Sequence, residues 1–286
     1  MATGHVDGEV RRTTGNIAAR LVLEAVGQDR FLGRAPAVPA RIYGGEVAAQ
    51  ALAAANATVA EDRVPHALQC TYLAPGDPAY PLAHNVTRVR DGRSFSTRTV
   101  QVRNDSRLTL TATVGYHVPE PGLTHQLAMP AVPPPMDLPR IEEADGTAWT
   151  RWTATDPDIE MRFVAPDLPD PLGRRRFWCR AVADGSDDPR TQAALATYLS
   201  DLTMVSSIRL PHEPADAKQY LMSTLSHSLY FHQLVMASDW HLVDHYSPVA
   251  GGGRGLALSH VYSQDGRLVM TGVQEGLIRP LPADYQ

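Results

Sequence analysis

Three polar side chains in the C-terminal third of the sequence are together suited to holding a water molecule for hydrolysis. Asp201 supplies a carboxylate, Thr224 a hydroxyl and Gln274 an amide. Each can hydrogen-bond to water, and none is a strong nucleophile. The set therefore indicates direct attack of water on a labile substrate, with the carboxylate as base or orienter, rather than a covalent enzyme intermediate.

A helix is predicted to carry Asp201. Asp188 fits an N-cap and Pro189 a first helical residue. Apolar residues then recur on one helical stripe, namely Leu195, Tyr198, Leu199, Leu202 and Val205. At ~100° per residue, Asp201 lies at the edge of this stripe. We therefore expect its carboxylate to face a cleft beside the core.

Two similar hairpins, one in each half of the chain, predict a duplicated domain. Residues 94–103 alternate in polarity and turn at 104–106 into 107–116, and residues 255–262 turn at 264–266 into 267–274. Arg93 and Arg254 stand at the start of the two segments. The spacing between these two arginines is far longer than the period of a solenoid repeat, so it indicates a duplicated domain.

The first half also contains a candidate central helix. Gly44 and Gly45 lead into residues 46–56, which are almost all small. Small side chains allow a curved sheet to approach a helix closely. Between the halves, a proline-rich tract that begins at Pro119 cannot hold regular structure, so it predicts a linker.

The composition excludes several classes of protein. The length of 286 residues, with 43% hydrophobic and 20% charged residues, is typical of a folded protein with one large or two modest domains. A net charge of −5 argues against general nucleic-acid binding. Cys70 and Cys179 are too far apart to form a metal knuckle or a redox pair. No stretch approaches the ~20 apolar residues of a membrane span, so we expect a cytoplasmic protein.

Other catalytic motifs fit poorly. The serine elbow G-x-S-x-G is missing, and residues 251–255 are followed by a strand pattern, which does not fit a dinucleotide-binding loop. His241, Asp244 and His245 depart from the spacing and acid type of known metal motifs. We therefore expect neither a metal nor a cofactor.

The sequence contains short motifs in both halves that carry a resemblance to one known family. Its first half carries the resemblance in residues 31–34, 41–51, 72–78 and 91–98, and residues 122–126 are similar to the family's entry to the linker. Its second half carries it in residues 198–202, 224–232, 252–255 and 273–276. In these motifs the chain resembles the acyl-CoA thioesterase II family. The resemblance implies an α+β double hotdog, in which two antiparallel sheets, joined edge to edge, each wrap around a long central helix. The expected domains are residues 15–118 and 146–286, with a linker at 119–145.

The resemblance also implies an activity. Members of the family hydrolyse acyl-CoA thioesters to free fatty acid and coenzyme A, and Asp201, Thr224 and Gln274 match the residues that hold the attacking water. Medium to long acyl chains with broad tolerance, and assembly into a homo-oligomer (dimer or tetramer), are further expectations. Candidate substrate-binding residues are Ser226, His227, Gly44, Gly45, Glu46, Arg93 and Arg254.

Two departures from the family pattern leave alternatives open. Ser226 stands where the family usually has Asp, and it is expected on the same strand face as Thr224. Glu46 stands where the family usually has Gln. A non-catalytic acyl-CoA binding or sensing protein, and a hotdog enoyl-CoA hydratase, are therefore alternative hypotheses. Thiol release that depends on Asp201 would separate hydrolysis from both.

Overall fold

The structure, a computed structural model, describes residues 16–36, 41–140, 157–165, 170–182, 187–212 and 220–281. Its helices are α1 (Ile17–Arg20), α2 (Gly44–Asn56) and α3 (Pro189–Ser200). The strands of the first half are β1 (Glu24–Gly27), β2 (Arg30–Gly33), β3 (Val64–Tyr72), β4 (Leu82–Asp91), β5 (Phe95–Asn104) and β6 (Arg107–His117). Those of the second half are β7 (Ile159–Val164), β8 (Arg175–Ala181), β9 (Tyr220–Phe231), β10 (His241–Gly251), β11 (Arg254–Ser263) and β12 (Leu268–Pro280).

The described strands form one antiparallel sheet whose order shows an internal duplication. The order is β1-β2-β4-β5-β6-β3-β9-β12-β11-β10-β8-β7. Counted from its outer edge, each half arranges its first to sixth strands as 1-2-4-5-6-3. In each half the long helix lies between the second and third strands of the sequence. The duplication predicted from the two hairpins is therefore confirmed.

Both predicted hairpins are present. Asn104 pairs with Arg107 across the first turn, where Asp105 has a φ of 54°. In the second hairpin Tyr262 pairs with Leu268, and Gly266 has a φ of 87°. Asp and Gly tolerate this left-handed backbone, which explains why these residue types marked the turns.

The two halves of the sheet join edge to edge, as expected from the resemblance, and form one continuous sheet. The edge strands of the halves, β3 and β9, pair directly from Ala67 opposite Tyr230 to Thr71 opposite Ser226. This pairing satisfies backbone groups that would otherwise form two exposed edges. The central helices lie side by side and antiparallel, since Tyr43 bonds the carbonyl of Tyr198 at one end.

Helix α2 has the character expected from its small residues and ends at Asn56 as expected, but it begins at Gly44 rather than Glu46. Its alanines are almost all buried, at positions 48, 49, 51, 54 and 55. The N-cap of α3 is also confirmed, because the Asp188 side chain accepts a hydrogen bond from the Thr191 N–H at 3.1 Å.

The predicted C-terminal end of α3 was wrong. The helix stops at Ser200 and Asp201 is its C-cap, whereas the apolar stripe predicted helix as far as Val205. Thr203 adopts a φ of 60°, which an α-helix cannot continue through. The chain resumes as a 3₁₀ turn at Val205–Ile208. Asp201 therefore lies at a helix end, where its side chain is less constrained by the helix than predicted.

The proline-rich tract is irregular apart from a 3₁₀ turn at Pro135–Asp137, and it packs on the second half. The carbonyl of Pro133 accepts a hydrogen bond from the Trp178 indole N–H at 2.9 Å. Met129, Val132 and Leu138 pack against the aromatic cluster around this tryptophan. The predicted boundaries at residues 15 and 145/146 lie outside the described residues. No helix in the described ranges is long and apolar enough to span a membrane.

Candidate active site

The three residues predicted to hold water come together in one buried cluster. Gln274, on β12, donates from Nε2 to Asp201 Oδ1 at 2.5 Å and to Thr224 Oγ1 at 3.1 Å. The Thr224 hydroxyl, on β9, also forms a hydrogen bond with the Asp201 carboxylate. Gln274 is completely buried and Asp201 is 6% exposed. Residues from a helix end and two adjacent strands therefore form a closed triangle of hydrogen bonds.

A β-bulge in β9 allows Thr224 to reach this cluster. Thr224 pairs with Gly276 and Ser226 pairs with Glu275, so Leu225 is an extra residue between them. The bulge reverses the side-chain alternation after Thr224. His227 then pairs with Gln274 and shares its face of the sheet. The expectation that Ser226 lies on the face of Thr224 was therefore wrong, because Ser226 points to the opposite face.

The N-terminus of α2, from the other half of the chain, meets the carboxylate. The backbone N–H of Gly45 donates to Asp201. A Cβ placed on Gly44 would lie 2.8 Å from Asp201 Oδ2, and one on Gly45 would lie 2.7 Å from the Tyr198 carbonyl oxygen. Any larger residue at these positions would have to displace its neighbours. The two glycines therefore let the helix end approach the carboxylate.

Burial dominates the electrostatics of Asp201. It raises the pKa of Asp201 from the usual 3.8 to about 6, although the hydrogen bonds from Gln274, Gly45 and Thr224 oppose the rise. The N-terminus of α2 carries a partial positive charge and also favours the ionised form. Asp201 is consequently a carboxylate at neutral pH and more basic than an exposed aspartate.

The side-chain oxygen of Gln274 is an acceptor of the cluster that can bind another molecule. Both hydrogens of the Gln274 amide nitrogen are donated, one to Asp201 and one to Thr224. The Gln274 Oε1 atom is buried and has no hydrogen-bond partner among the described residues. A buried amide oxygen is costly to leave unpaired, so this atom is a natural acceptor for a bound water or substrate donor.

Aromatic residues of the first half surround the carboxylate, and sequence reasoning missed them. Tyr72 donates its hydroxyl to the carbonyl of Gly44 at 2.9 Å, and Tyr43 donates to the Tyr198 carbonyl at 3.1 Å. Burial raises the pKa of both tyrosines, and the nearby Asp201 charge raises it further. Their positions, directly before the glycine pair and within residues 72–78, were the available signal.

The other candidate substrate-binding residues occupy different surroundings. Glu46 is buried and bonds Arg20 at 2.9 Å and Gln50 at 2.8 Å. Arg254 pairs with Glu275 at 3.1 Å and is largely exposed. Arg93 lies in the turn between β4 and β5. The structure thus brings Gly44, Gly45 and His227 to the cluster, but not Ser226, Arg93 or Arg254.

At the opposite end of the helix pair, the described residues differ from those around Asp201. There Ala57 is the C-cap of α2, in the place that Asp201 occupies for α3. Asp188 caps the first turn of α3, and Pro189 at its first position has no N–H to donate. Among the described residues, one end of the helix pair therefore has a C-cap carboxylate beside a glycine pair, whereas the other has a C-cap alanine and a helix that begins with proline.

Comparisons with known proteins agree with this architecture. Residues 33–117 match the family model described as the acyl-CoA thioesterase N-terminal domain, and residues 130–278 match the acyl-CoA thioesterase C-terminal domain. Human acyl-coenzyme A thioesterase 8 is 34% identical over 299 aligned positions, covering 98% of this chain and 93% of its own length.

Solved structures are similar over the same extent. An acyl-CoA thioesterase II from Mycobacterium marinum is 32% identical with a TM-score of 0.82, covering 94% of this chain and 100% of that chain. A protein of unknown function with a hot dog fold from Alicyclobacillus acidocaldarius is 21% identical with a TM-score of 0.74, covering 93% and 98% of the two chains. That second likeness identifies the fold as hotdog. The chain belongs to the acyl-CoA thioesterase II family.

Proposed function

We propose that this protein hydrolyses acyl-CoA thioesters to free fatty acid and coenzyme A with a water molecule held by Asp201, Thr224 and Gln274. One observation carries the proposal. The side chains of Thr224 and Gln274, from two separate strands, converge on the buried Asp201 carboxylate, whose pKa is raised to about 6. Such a carboxylate is ionised at neutral pH and basic enough to take a proton from water. Membership of the thioesterase family supports the same reaction.

The chemistry follows from the donors and acceptors of the cluster. Water donates one hydrogen to the Asp201 carboxylate and the other to Gln274 Oε1, which directs an oxygen lone pair at the thioester carbon. As the C–O bond forms, Asp201 takes the first proton. The tetrahedral intermediate then breaks its C–S bond, and the coenzyme A thiolate leaves and recovers that proton. Thioesters have little resonance stabilisation, so no serine or cysteine nucleophile is needed.

The N-terminus of α2 has a second role in this proposal. The carbonyl oxygen gains negative charge as water attacks, and the positive end of a helix dipole stabilises such a charge. Gly44 and Gly45 permit close approach of this helix end to the reacting groups. The reaction therefore requires both halves of the chain, one for the carboxylate and one for the helix terminus.

Several finer features belong to the same proposal. We expect a broad range of medium to long acyl chains. We also assign the two halves of the duplicated sheet to two hotdog units, residues 15–118 and 146–286, joined by the linker at 119–145. A homo-oligomer, either dimer or tetramer, is expected and is tested by light scattering of the purified protein.

The decisive experiment measures thiol release from short, medium and long acyl-CoAs by the wild type and Asp201→Asn. A loss of about 10²-fold or more in the variant is expected for removal of a general base. No thiol release by the wild type would favour an acyl-CoA binding protein. Reversible hydration of an enoyl-CoA without thiol release would favour a hydratase, and equal release by both proteins would exclude Asp201 as the base.

A further inference from the structure

We propose that His227 is a positioning residue for the reaction: it holds Ser200, the last residue of α3, and so fixes the Asp201 carboxylate against Thr224 and Gln274. The inference rests on the proposed function, because it assigns a role in placing the base of that reaction. His227 is fully buried and does not contact solvent. Its bonding partner, rather than its charge, indicates what it does.

Hydrogen bonds at Ser200 define the state of the imidazole. The Ser200 hydroxyl donates its single hydrogen to the Thr197 carbonyl at 2.7 Å. Its oxygen lies 2.8 Å from His227 Nε2. Because the hydroxyl hydrogen is already used, the serine oxygen accepts, and the proton of the imidazole must be on Nε2. The histidine therefore acts as a donor that ties β9 to the end of α3.

The bond between His227 and Ser200 lies directly beside the cluster that contains Asp201. On the sheet face that α2 and α3 cover, His227 pairs with Gln274 on β12 and with Cys70 on β3. On the helix side, Ser200 directly precedes Asp201. Two neighbouring bonds thus join the same helix end to the same two strands, one from His227 to Ser200 and one from Gln274 to Asp201.

A helix end needs such a tie because it lacks the constraint of a following turn. Asp201 is the C-cap residue, and Thr203 leaves the helical conformation with a φ of 60°. Without the His227 bond, this helix end would be held to β9 and β12 by the remaining contacts of Asp201 with Gln274 and Thr224. The carboxylate would then sample positions from which water is not aimed at the substrate.

The chemistry of an imidazole suits this place. Burial lowers the pKa of His227 to about 4, so the ring is neutral in the range where Asp201 is ionised. A lysine or arginine here would pair with the carboxylate and weaken it as a base. The neutral ring supplies a hydrogen bond without this competing charge.

Paired amide substitutions at position 227 test the inference. In His227→Gln the amide nitrogen can occupy the place of Nε2 and donate to Ser200, whereas in His227→Asn the amide falls at the place of Nδ1. We expect kcat of His227→Asn to fall about 10²-fold, the loss associated with misplacing a reacting group by ~1 Å. Its KM should change less than threefold. The kcat of His227→Gln should be at least tenfold higher than that of His227→Asn.

Control variants separate positioning from general damage. His84 is also a completely buried neutral histidine on an inner strand face, but it contacts Gln50 in the first half. We expect His84→Asn to keep kcat within threefold of the wild type. The kcat values are compared per folded enzyme, with the folded fraction of each protein taken from thermal unfolding. Ser200→Ala removes the other partner and should reproduce the kcat loss of His227→Asn.

Two results would overturn the inference. One is wild-type kcat in folded His227→Asn, and the other is an equal kcat loss in the Asn and Gln variants. Asp201→Asn, measured in parallel, distinguishes failure of the proposed function. If Asp201→Asn is inactive while the position 227 variants are normal, only the positioning role fails. If Asp201→Asn retains activity, both the proposed mechanism and the positioning role of His227 fail.

Discussion

Replacing Asp201 with Asn should remove a pH dependence of folding stability that the buried carboxylate imposes. Burial raises the pKa of this group from 3.8 to about 6. The folded chain therefore holds the proton more tightly than the unfolded chain does. Between these two pH values the unfolded chain ionises first, so the free energy of unfolding falls as pH rises. Below pH 3.8 the penalty is absent, and above about pH 6 it is complete.

The size of the penalty follows from the shift. A difference of roughly two pKa units at about 1.4 kcal/mol each amounts to about 3 kcal/mol at neutral pH. Between about pH 4.5 and 7.5 the change is about 2 kcal/mol, since part of the unfolded population is already ionised at the lower value. Asn cannot ionise, and its altered hydrogen bonds with Gln274 and Gly45 contribute equally at both pH values.

Urea unfolding of both proteins at the two pH values measures this term. The measured quantity is the free energy of unfolding of the variant minus that of the wild type. The contributions of the other carboxylates are the same in both proteins and cancel in this difference. We expect this difference to be about 2 kcal/mol larger at pH 7.5 than at pH 4.5, with equal m-values. A difference independent of pH, or one that falls as pH rises, would refute a buried carboxylate of raised pKa.

Further predictions concern activity. The kcat/KM of the wild type should rise with pH along an acid limb centred near the Asp201 pKa of about 6, and a limb near pH 4 would contradict the assignment. Gly44→Ala should lower kcat about 10²-fold, because its Cβ would lie 2.8 Å from the carboxylate, whereas Gly122→Ala, with open space around it, should be neutral. Thr224→Val removes a hydrogen bond that lowers the Asp201 pKa, so kcat should fall about tenfold and the acid limb move to higher pH. Ser226→Ala, on the opposite face, is its control, and equal effects of the two would contradict the bulge.

Much of the fold could be predicted because local chemistry and tertiary structure agree. Asp188 and Pro189 marked the start of α3, and Asp105 and Gly266 marked the turns, since each residue type suits the backbone that it adopts. The duplicated hairpins also predicted the repeat. The edge-to-edge join was expected from the resemblance alone, because the pairing of β3 with β9 is a long-range contact without a local sequence signal.

Three features of the site were harder to predict. The bulge at Leu225 reverses the alternation that assigned Ser226 to the inner face, and a strand pattern alone does not reveal an extra residue. The early end of α3 depends on the backbone at Thr203, although the apolar stripe continues beyond it. The contribution of Gly44 and Gly45 needed the antiparallel arrangement of the helices, which places residues of one half beside a carboxylate of the other.

Hydrolysis of one equivalent of acyl-CoA by excess enzyme in H₂¹⁸O tests most directly whether water attacks the thioester. Mass spectrometry of both the fatty acid and the peptide that carries Asp201 follows the oxygen atom. Direct attack predicts one ¹⁸O in the fatty acid carboxylate and none in the peptide. An ¹⁸O atom in Asp201, or an acyl adduct trapped on that peptide, would show that the carboxylate is itself the nucleophile and would contradict the mechanism.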